Sequence, residues 1–215
     1  MSERLFAVDE QTLFTQQLRQ APNLEVLKAH ALSCRTCLLR QSCQQVVFGV
    51  GSPIAKLMLI GEGPGADEDR LGEPFVGVAG QLLDRILASV DFDRDKNVYI
   101  TNVVKCRPMR NRTPTPEERE TCMPILREEF RRLRPPIVVL LGATAAQAVL
   151  DPLLSISRVR GQWQERGGVW FMPTYHPAAL LRNETWKRDV WEDMKEVVRK
   201  YRSLVASDHA PNLEL

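Results

Sequence analysis

Short apolar runs that stop at a glycine, each followed by a segment of helical spacing, constrain this 215-residue chain more than any other feature. The clearest is Ile137 to Leu141, set between Pro135-Pro136 and Gly142 and leading into a helical Ala143 to Leu150. Lys56 to Ile60, Asn97 to Thr101 and Val169 to Met172 read as three further strands, and Ala79 to Val90 and Glu184 to Tyr201 as helices. Another helix has a well-marked start: Thr115 at the N-cap, Pro116 at the first helical position and Glu118 completing a capping box, with the helix running to about Leu133. Strands alternating with helices predict an α/β fold, a mostly parallel four-stranded sheet covered on both faces. In such sheets ligands bind at the carboxyl ends of the strands, so the segments just after them are where chemistry is expected.

The rest of the chain is arranged around that block. Residues 1–32 place Leu13, Phe14, Leu18, Leu24, Leu27 and Leu32 at near-helical spacing and are expected to form a helical leader. A main domain over residues 33–202 and a frayed tail over 203–215 complete the expected layout. With 29 Lys and Arg against 27 Asp and Glu, the net charge of +2 excludes a bulk electrostatic, histone-like binder but leaves room for a local basic groove. No apolar run reaches the roughly 18 residues that a membrane helix needs. The first 30 residues contain Glu3, Asp9 and Glu10 and lack a basic stretch followed by an apolar block, so no signal peptide is read and a cytoplasmic location is expected.

Five cysteines are an odd number for a disulfide framework. Cys34 and Cys37 form a C-x2-C pair, and Cys106 and Cys122 lie 15 intervening residues apart. Four thiolates from two segments can surround zinc or an iron-sulfur cluster; the alternative is a set of small buried hydrophobes with a chance C-x2-C. A redox pair is disfavoured because Cys34 precedes any strand-helix unit, and Cys43 is left as a spare.

After the first strand, Gly61, Gly63 and Ala66 match a dinucleotide fingerprint, but the acidic, proline-interrupted stretch that follows reads as a loop that would repel phosphate. A glycine-rich loop with Glu62 and Glu68 suits close approach to a neutral planar ligand and a water. Phe75, between Pro74 and Gly77, offers a stacking face or a core residue. Asn102, just after the second strand, has the donor and acceptor to read the edge of a base, or else forms a turn. Arg107, Arg110 and Arg112, with Asn111 among them, suit phosphates or a solvated loop. Of three histidines, His176 alone falls at a strand end, and Leu180 and Leu181 beside Arg182 form either an apolar wedge or the start of a helix.

Together these segments resemble the uracil-DNA glycosylase superfamily, and within it the family 4, iron-sulfur enzymes. The resemblance rests on Gly61-Glu62-Gly63-Pro64-Gly65, on Gly72-x-Pro74-Phe75-Val76-Gly77-x-Ala79-Gly80-Gln81-Leu82-Leu83-Asp84, on Tyr99-Ile100-Thr101-Asn102-Val103-Val104-Lys105-Cys106-Arg107-Pro108, and on His176-Pro177-Ala178. It covers Cys34 to Tyr201 in order and includes the four cysteines.

What the resemblance implies is a three-layer α/β/α domain that flips uracil out of DNA and hydrolyses its N-glycosidic bond, leaving an abasic site and free uracil. It implies that Phe75 stacks on uracil, that Asn102 bonds its Watson-Crick edge, that Glu62 and Gly63 line the pocket, and that His176 donates to uracil O2. Glu62, Glu68 and Asn111 are the candidates for positioning water. Leu180 is expected to fill the space left by the base, and Arg182, Arg107, Arg110 and Arg112 to hold phosphates. A structural 4Fe-4S cluster on Cys34, Cys37, Cys106 and Cys122 is implied, in a monomer. The covalent branch of the superfamily carries an inserted histidine-bearing loop, which the stretch from Ala79 to Asn97 lacks. Two rivals are a same-fold glycosylase for hypoxanthine or xanthine and a non-catalytic, metal-bearing nucleic-acid binding module.

Overall fold

The apolar runs do form strands, and their alternating side chains build two separate cores. A computed structural model describes residues 10–213. Glu3, Asp9 and the last two residues of the tail lie outside the described residues. The chain begins with α1 (Glu10–Gln20), α2 (Leu24–Leu32) and a short α3 (Leu39–Ser42), followed by β1 (Val50–Gly51) and β2 (Leu57–Gly61). Next come α4 (Ala66–Leu71), α5 (Val78–Ala88) and β3 (Val98–Asn102), then α6 (Pro116–Leu133), β4 (Ile137–Leu141), α7 (Ala143–Val149) and α8 (Ile156–Val159). A hairpin of β5 (Gln164–Arg166) and β6 (Val169–Thr174), then α9 (Pro177–Arg182) and α10 (Trp186–Leu204), complete it.

The sheet has six strands, in the order β1-β3-β2-β4-β6-β5. The four predicted strands are its parallel centre, with Leu57 beside both Val98 and Ile137, and Ile137 beside Trp170. The two strands absent from the sequence reading are short antiparallel edges, β1 on β3 and β5 on β6. Pro173 is tolerated inside β6 because β5 pairs only as far as Phe171, so no ladder bond needs its N–H, and on that side its carbonyl accepts from Gly161 N at 3.0 Å.

Because side chains alternate along a strand, Met58, Ile60, Val138 and Leu140 point to one face, and Leu57, Leu59, Val139 and Leu141 to the other. The first face packs against α1, α2, α6 and α7, the second against α5, α9 and α10, giving the three layers. The predicted capping box of α6 forms: Glu118 N donates to Thr115 Oγ1 (3.2 Å) and Thr115 N to Glu118 Oε2 (2.8 Å).

The leader and the tail are more integrated than the sequence suggested. Leu18 and Leu27 are fully buried in the same apolar cluster as Cys34, Cys106 and Cys122. Arg132 of α6 donates to Leu18 O at 3.0 Å and also to Ala21 O, satisfying carbonyls at the end of α1. At the other end the chain folds back through Leu213 rather than fraying. The His209 ring lies 4.2 Å from Phe92 and its Nε2 is 3.0 Å from Val90 O, while Arg202 Nε donates to His209 O.

Candidate active site

The carboxyl ends of the parallel strands open into a cleft of about 660 Å³. Past the last ladder residues, Val103 N still donates to Gly61 O (2.9 Å) and Val104 N to Glu62 O (3.1 Å). That extension sets Glu62 and Asn102 side by side at the cleft floor. Asn102 is 2% exposed, and its Oδ1 has no hydrogen-bond partner. An unpaired buried amide oxygen costs on the order of 1–3 kcal/mol, which a ligand N–H would recover. Gly61 is needed here, because a Cβ would overlap both Asn102 Oδ1 and the Phe75 ring.

The acidic stretch after Gly65 corrects the sequence reading, since it forms the short helix α4 rather than a loop. Its N-terminus is nevertheless closed to phosphate by its own Glu68. Glu68 Oε2 accepts from Gly65 N (3.0 Å), and Oε1 from Val76 N (2.9 Å) and Gly77 N (2.8 Å). Phe75, just before those two amides, is buried with a left-handed φ of 56°. Its ring stands 5.5 Å from the His176 imidazole at an interplanar angle of 28°.

His176 is the N-cap of α9, and its Nδ1 accepts from Ala178 N at 3.1 Å. The proton of the neutral ring therefore sits on Nε2. Burial, reinforced by the charge of Arg182 and opposed by Glu68, lowers its pKa from 6.5 to about 4. The imidazole is thus a neutral N–H donor at physiological pH. Gly142, at φ 92°, lies close by, where a Cβ would stand 3.0 Å from His176 Cβ.

Most of the expected residues meet here. Glu62, Gly63, Glu68, Phe75, Asn102 and His176 all line the cleft, and Asn111, Arg112 and Arg182 form its rim. Arg107 and Arg110 are not among the lining residues. Arg107 Nε donates to Asn111 Oδ1 at 2.7 Å, and Arg112 forks onto Glu118 at 2.8 and 2.6 Å. That pairing holds the Glu118 carboxyl below its ordinary range.

Leu180 is the clear correction. It is fully buried in the apolar cluster under α9 and α10, whereas Leu181 is 44% exposed next to Arg182. One step of helical phase separates the two leucines, and sequence alone does not fix that phase. Sequence reasoning also passed over Thr144, whose hydroxyl donates to Glu62 Oε2, and Gln147, both lining the cleft. They follow β4, and their position after a strand was the only available signal.

The cysteines converge in the core between the sheet and α6. Cys34, Cys106 and Cys122 are buried together, with Cys37 and Cys43 packed against the same cluster, and all five are free thiols. Burial pushes Cys122 up to about 12, opposed by the Lys105 charge and by the Lys105 N–H, 3.3 Å from its sulfur. Burial first, and then a hydrogen bond with Cys43, raise Cys106. The spare thiol therefore lies with the other four.

No helix among the described residues is long and apolar enough to cross a membrane. The sequence profile described as the uracil DNA glycosylase superfamily matches residues 48–195. A type-4 uracil-DNA glycosylase of Archaeoglobus fulgidus is 42% identical over 183 residues, covering 81% of this chain and 92% of that protein. The type-4 enzyme of Thermotoga maritima is 41% identical over 80% of this chain and 92% of its own length. A type-4 enzyme of Sulfurisphaera tokodaii is 39% identical over 81% and 83%. With its cleft at the strand ends and its sequence alike over four-fifths of its length, the chain belongs to the uracil DNA glycosylase superfamily.

Proposed function

We propose that this protein is a monofunctional DNA-repair glycosylase that extrudes uracil from DNA and hydrolyses its N-glycosidic bond. The observation that carries the reading is the unpartnered, buried Asn102 Oδ1 in a cleft that also holds an aromatic face and a neutral imidazole donor. Uracil offers an N3–H donor beside an O4 acceptor, and the Asn102 amide answers both. Cytosine presents an acceptor at N3, which would face Oδ1 with no proton between them. Leaving such a buried pair unsatisfied costs roughly 1–3 kcal/mol on each side, and this is the source of discrimination.

Bond cleavage builds negative charge on the departing base and positive charge on the sugar. His176 Nε2–H, aimed at uracil O2, then gains strength in the transition state relative to the ground state. Its low pKa keeps Nδ1 unprotonated to accept from Ala178 N, which fixes the ring with Nε2–H as the donor. For the attacking water, Glu68 is occupied by three backbone amides and Asn111 by Arg107. Glu62, steered by the Thr144 hydroxyl, is the carboxylate we assign to that water. Leu181, exposed beside Arg182, takes the wedge role first expected of Leu180, while Arg182, Arg107 and Arg110 hold phosphates. Lys105 is ion-paired to Glu129 at 2.6 Å and unavailable as an amine nucleophile, which supports simple hydrolysis without strand cleavage.

The cysteines fit a 4Fe-4S cluster in their chemistry: thiols gathered in an apolar site with an N–H on one sulfur. Among the described residues, no three His, Cys, Asp or Glu side chains come close enough to share one metal ion. We assign Cys34, Cys37, Cys106 and Cys122 to such a cluster. Bound there, it would tie the loop before α3 to the segment from β3 to α6, with no electron transfer required by hydrolysis. Burial raises the pKa of Cys37, Cys106 and Cys122, so loading at these thiols releases protons. A monomer acting in the cytoplasm, on uracil-containing DNA, completes the proposal.

Single-turnover release of uracil from a labelled oligonucleotide tests it. Wild-type protein should release uracil, and His176→Ala should be slower by about 10²- to 10³-fold. DNA binding without release of uracil would refute the assignment and point to another deaminated base or to a binding module.

A further inference from the structure

The loop that presents Phe75 is gripped from two sides. Glu68 holds the N–H groups of Val76 and Gly77, as described. On the other side Arg94, from the turn between α5 and β3, holds carbonyls: Nη2 donates to Phe75 O at 2.7 Å and Nη1 to Pro74 O at 3.3 Å. Its Nε donates to Asp84 Oδ1 at 2.8 Å, which fixes the guanidinium plane, and the Arg94 side chain is only 18% exposed. Beneath the loop, α5 approaches so closely that a Cβ on Gly80 would overlap the Phe75 carbonyl.

This restraint matters because Phe75 is a bulky residue with φ at 56°. Such a conformation persists only where the surroundings over-determine it. A cation on the carbonyl and an anion on the next two amides fix both peptide planes that flank one aromatic ring. Neither brace touches the base, yet together they set where the ring lies.

We propose that Arg94 is a positioning residue for base recognition, holding Phe75 preorganised to receive the extruded base. The proposal rests on the reading that Phe75 stacks on that base. A planar fork with several fixed donors suits the task, and a lysine, with one mobile ammonium, cannot span both carbonyls and Asp84. Without Arg94 the loop must be ordered when the base enters, and the cost falls on affinity for a planar ligand and on alignment.

The test compares Arg94→Ala, Arg94→Lys and Phe75→Ala, well below the unfolding temperature, for single-turnover kcat/KM, inhibition by free uracil and binding of uracil-free oligonucleotide. Arg94→Ala should lower kcat/KM by about 10- to 100-fold, the scale of a small misplacement in an active site. It should weaken inhibition by free uracil in parallel and leave binding of uracil-free DNA unchanged. Methylguanidinium should restore much of the loss in Arg94→Ala and none in Phe75→Ala, and Arg94→Lys should resemble Arg94→Ala. An Arg94→Ala protein within twofold of wild type, with Phe75→Ala impaired, would overturn the proposal and leave the stacking reading intact. A loss explained wholly by unfolded protein, with uracil inhibition unchanged, would overturn it too. Full activity in Phe75→Ala would overturn both.

Discussion

Replacing Lys105 by methionine should destabilise the protein by about 3–5 kcal/mol, the cost of breaking a buried ion pair from one side. Lys105 and Glu129 have side chains only 1% and 0% exposed, and Lys105 Nζ also donates to Thr101 Oγ1 (2.5 Å) and Asn102 O (2.8 Å). Glu129 is anchored independently by Gly49 N (3.0 Å), Tyr99 OH (3.1 Å) and the Thr101 hydroxyl. Removing the ammonium therefore strands a carboxylate that cannot swing into water. With a urea slope near 2–3 kcal/mol/M, the unfolding midpoint should fall by about 1–2.5 M. A second variant carries the internal check. Removing the carboxylate as well, in Lys105→Met/Glu129→Gln, leaves no stranded charge and should recover part of the loss. Urea unfolding of wild type and both variants, with iron content measured on each sample, is the assay. A loss below about 1 kcal/mol in the single variant, or no recovery in the double variant, would refute the reasoning.

Other consequences are more local. Because the pKa of His176 lies near 4, raising the pH from 5.5 to 8 should cause no loss of single-turnover rate from this residue. Its stability contribution runs the same way: unfolded histidine takes up a proton near 6.5 and the folded one only near 4, so stability from this group is full above 6.5 and declines as pH falls toward 4. Leu180→Ala should cost about 2–5 kcal/mol of stability, as core truncations do. Leu181→Ala should leave stability within about 0.5 kcal/mol and slow uracil release from duplex more than from single-stranded DNA, measurable on matched oligonucleotides. Cys106→Ser should lose iron and the absorbance near 400 nm together. Cys43→Ser should keep both.

The sequence made the parallel sheet legible because its strands are buried on both faces and therefore read as unbroken apolar runs. The edge strands were hidden for the opposite reason: Val50–Gly51 is too short and Gln164–Arg166 too polar to stand out. Helix α4 was missed because its start is secured by the Glu68 side chain reaching back, while glycines and acids alone read as loop. The shared cleft position of Glu62, Phe75, Asn102 and His176 was legible because each directly follows a strand or sits in a glycine- or proline-marked motif. The contacts of Arg94 and Thr144, and the exposure of Leu181 rather than Leu180, were not, because they depend on tertiary approach and helical phase rather than on local pattern.

The strand order also sets when the cleft can form. β2 is the first parallel strand to be made yet lies in the middle of the sheet, pairing Leu57 with Val98 on one side and with Ile137 on the other. The Phe75–His176 contact, in turn, needs the last strand, β6, in place. Each of these closures spans a long stretch of chain, and distant contacts form late because their loop entropy must be overcome first. During refolding, helical signal should therefore return well before glycosylase activity. Until β6 is in place the chain has no site able to recognise a base.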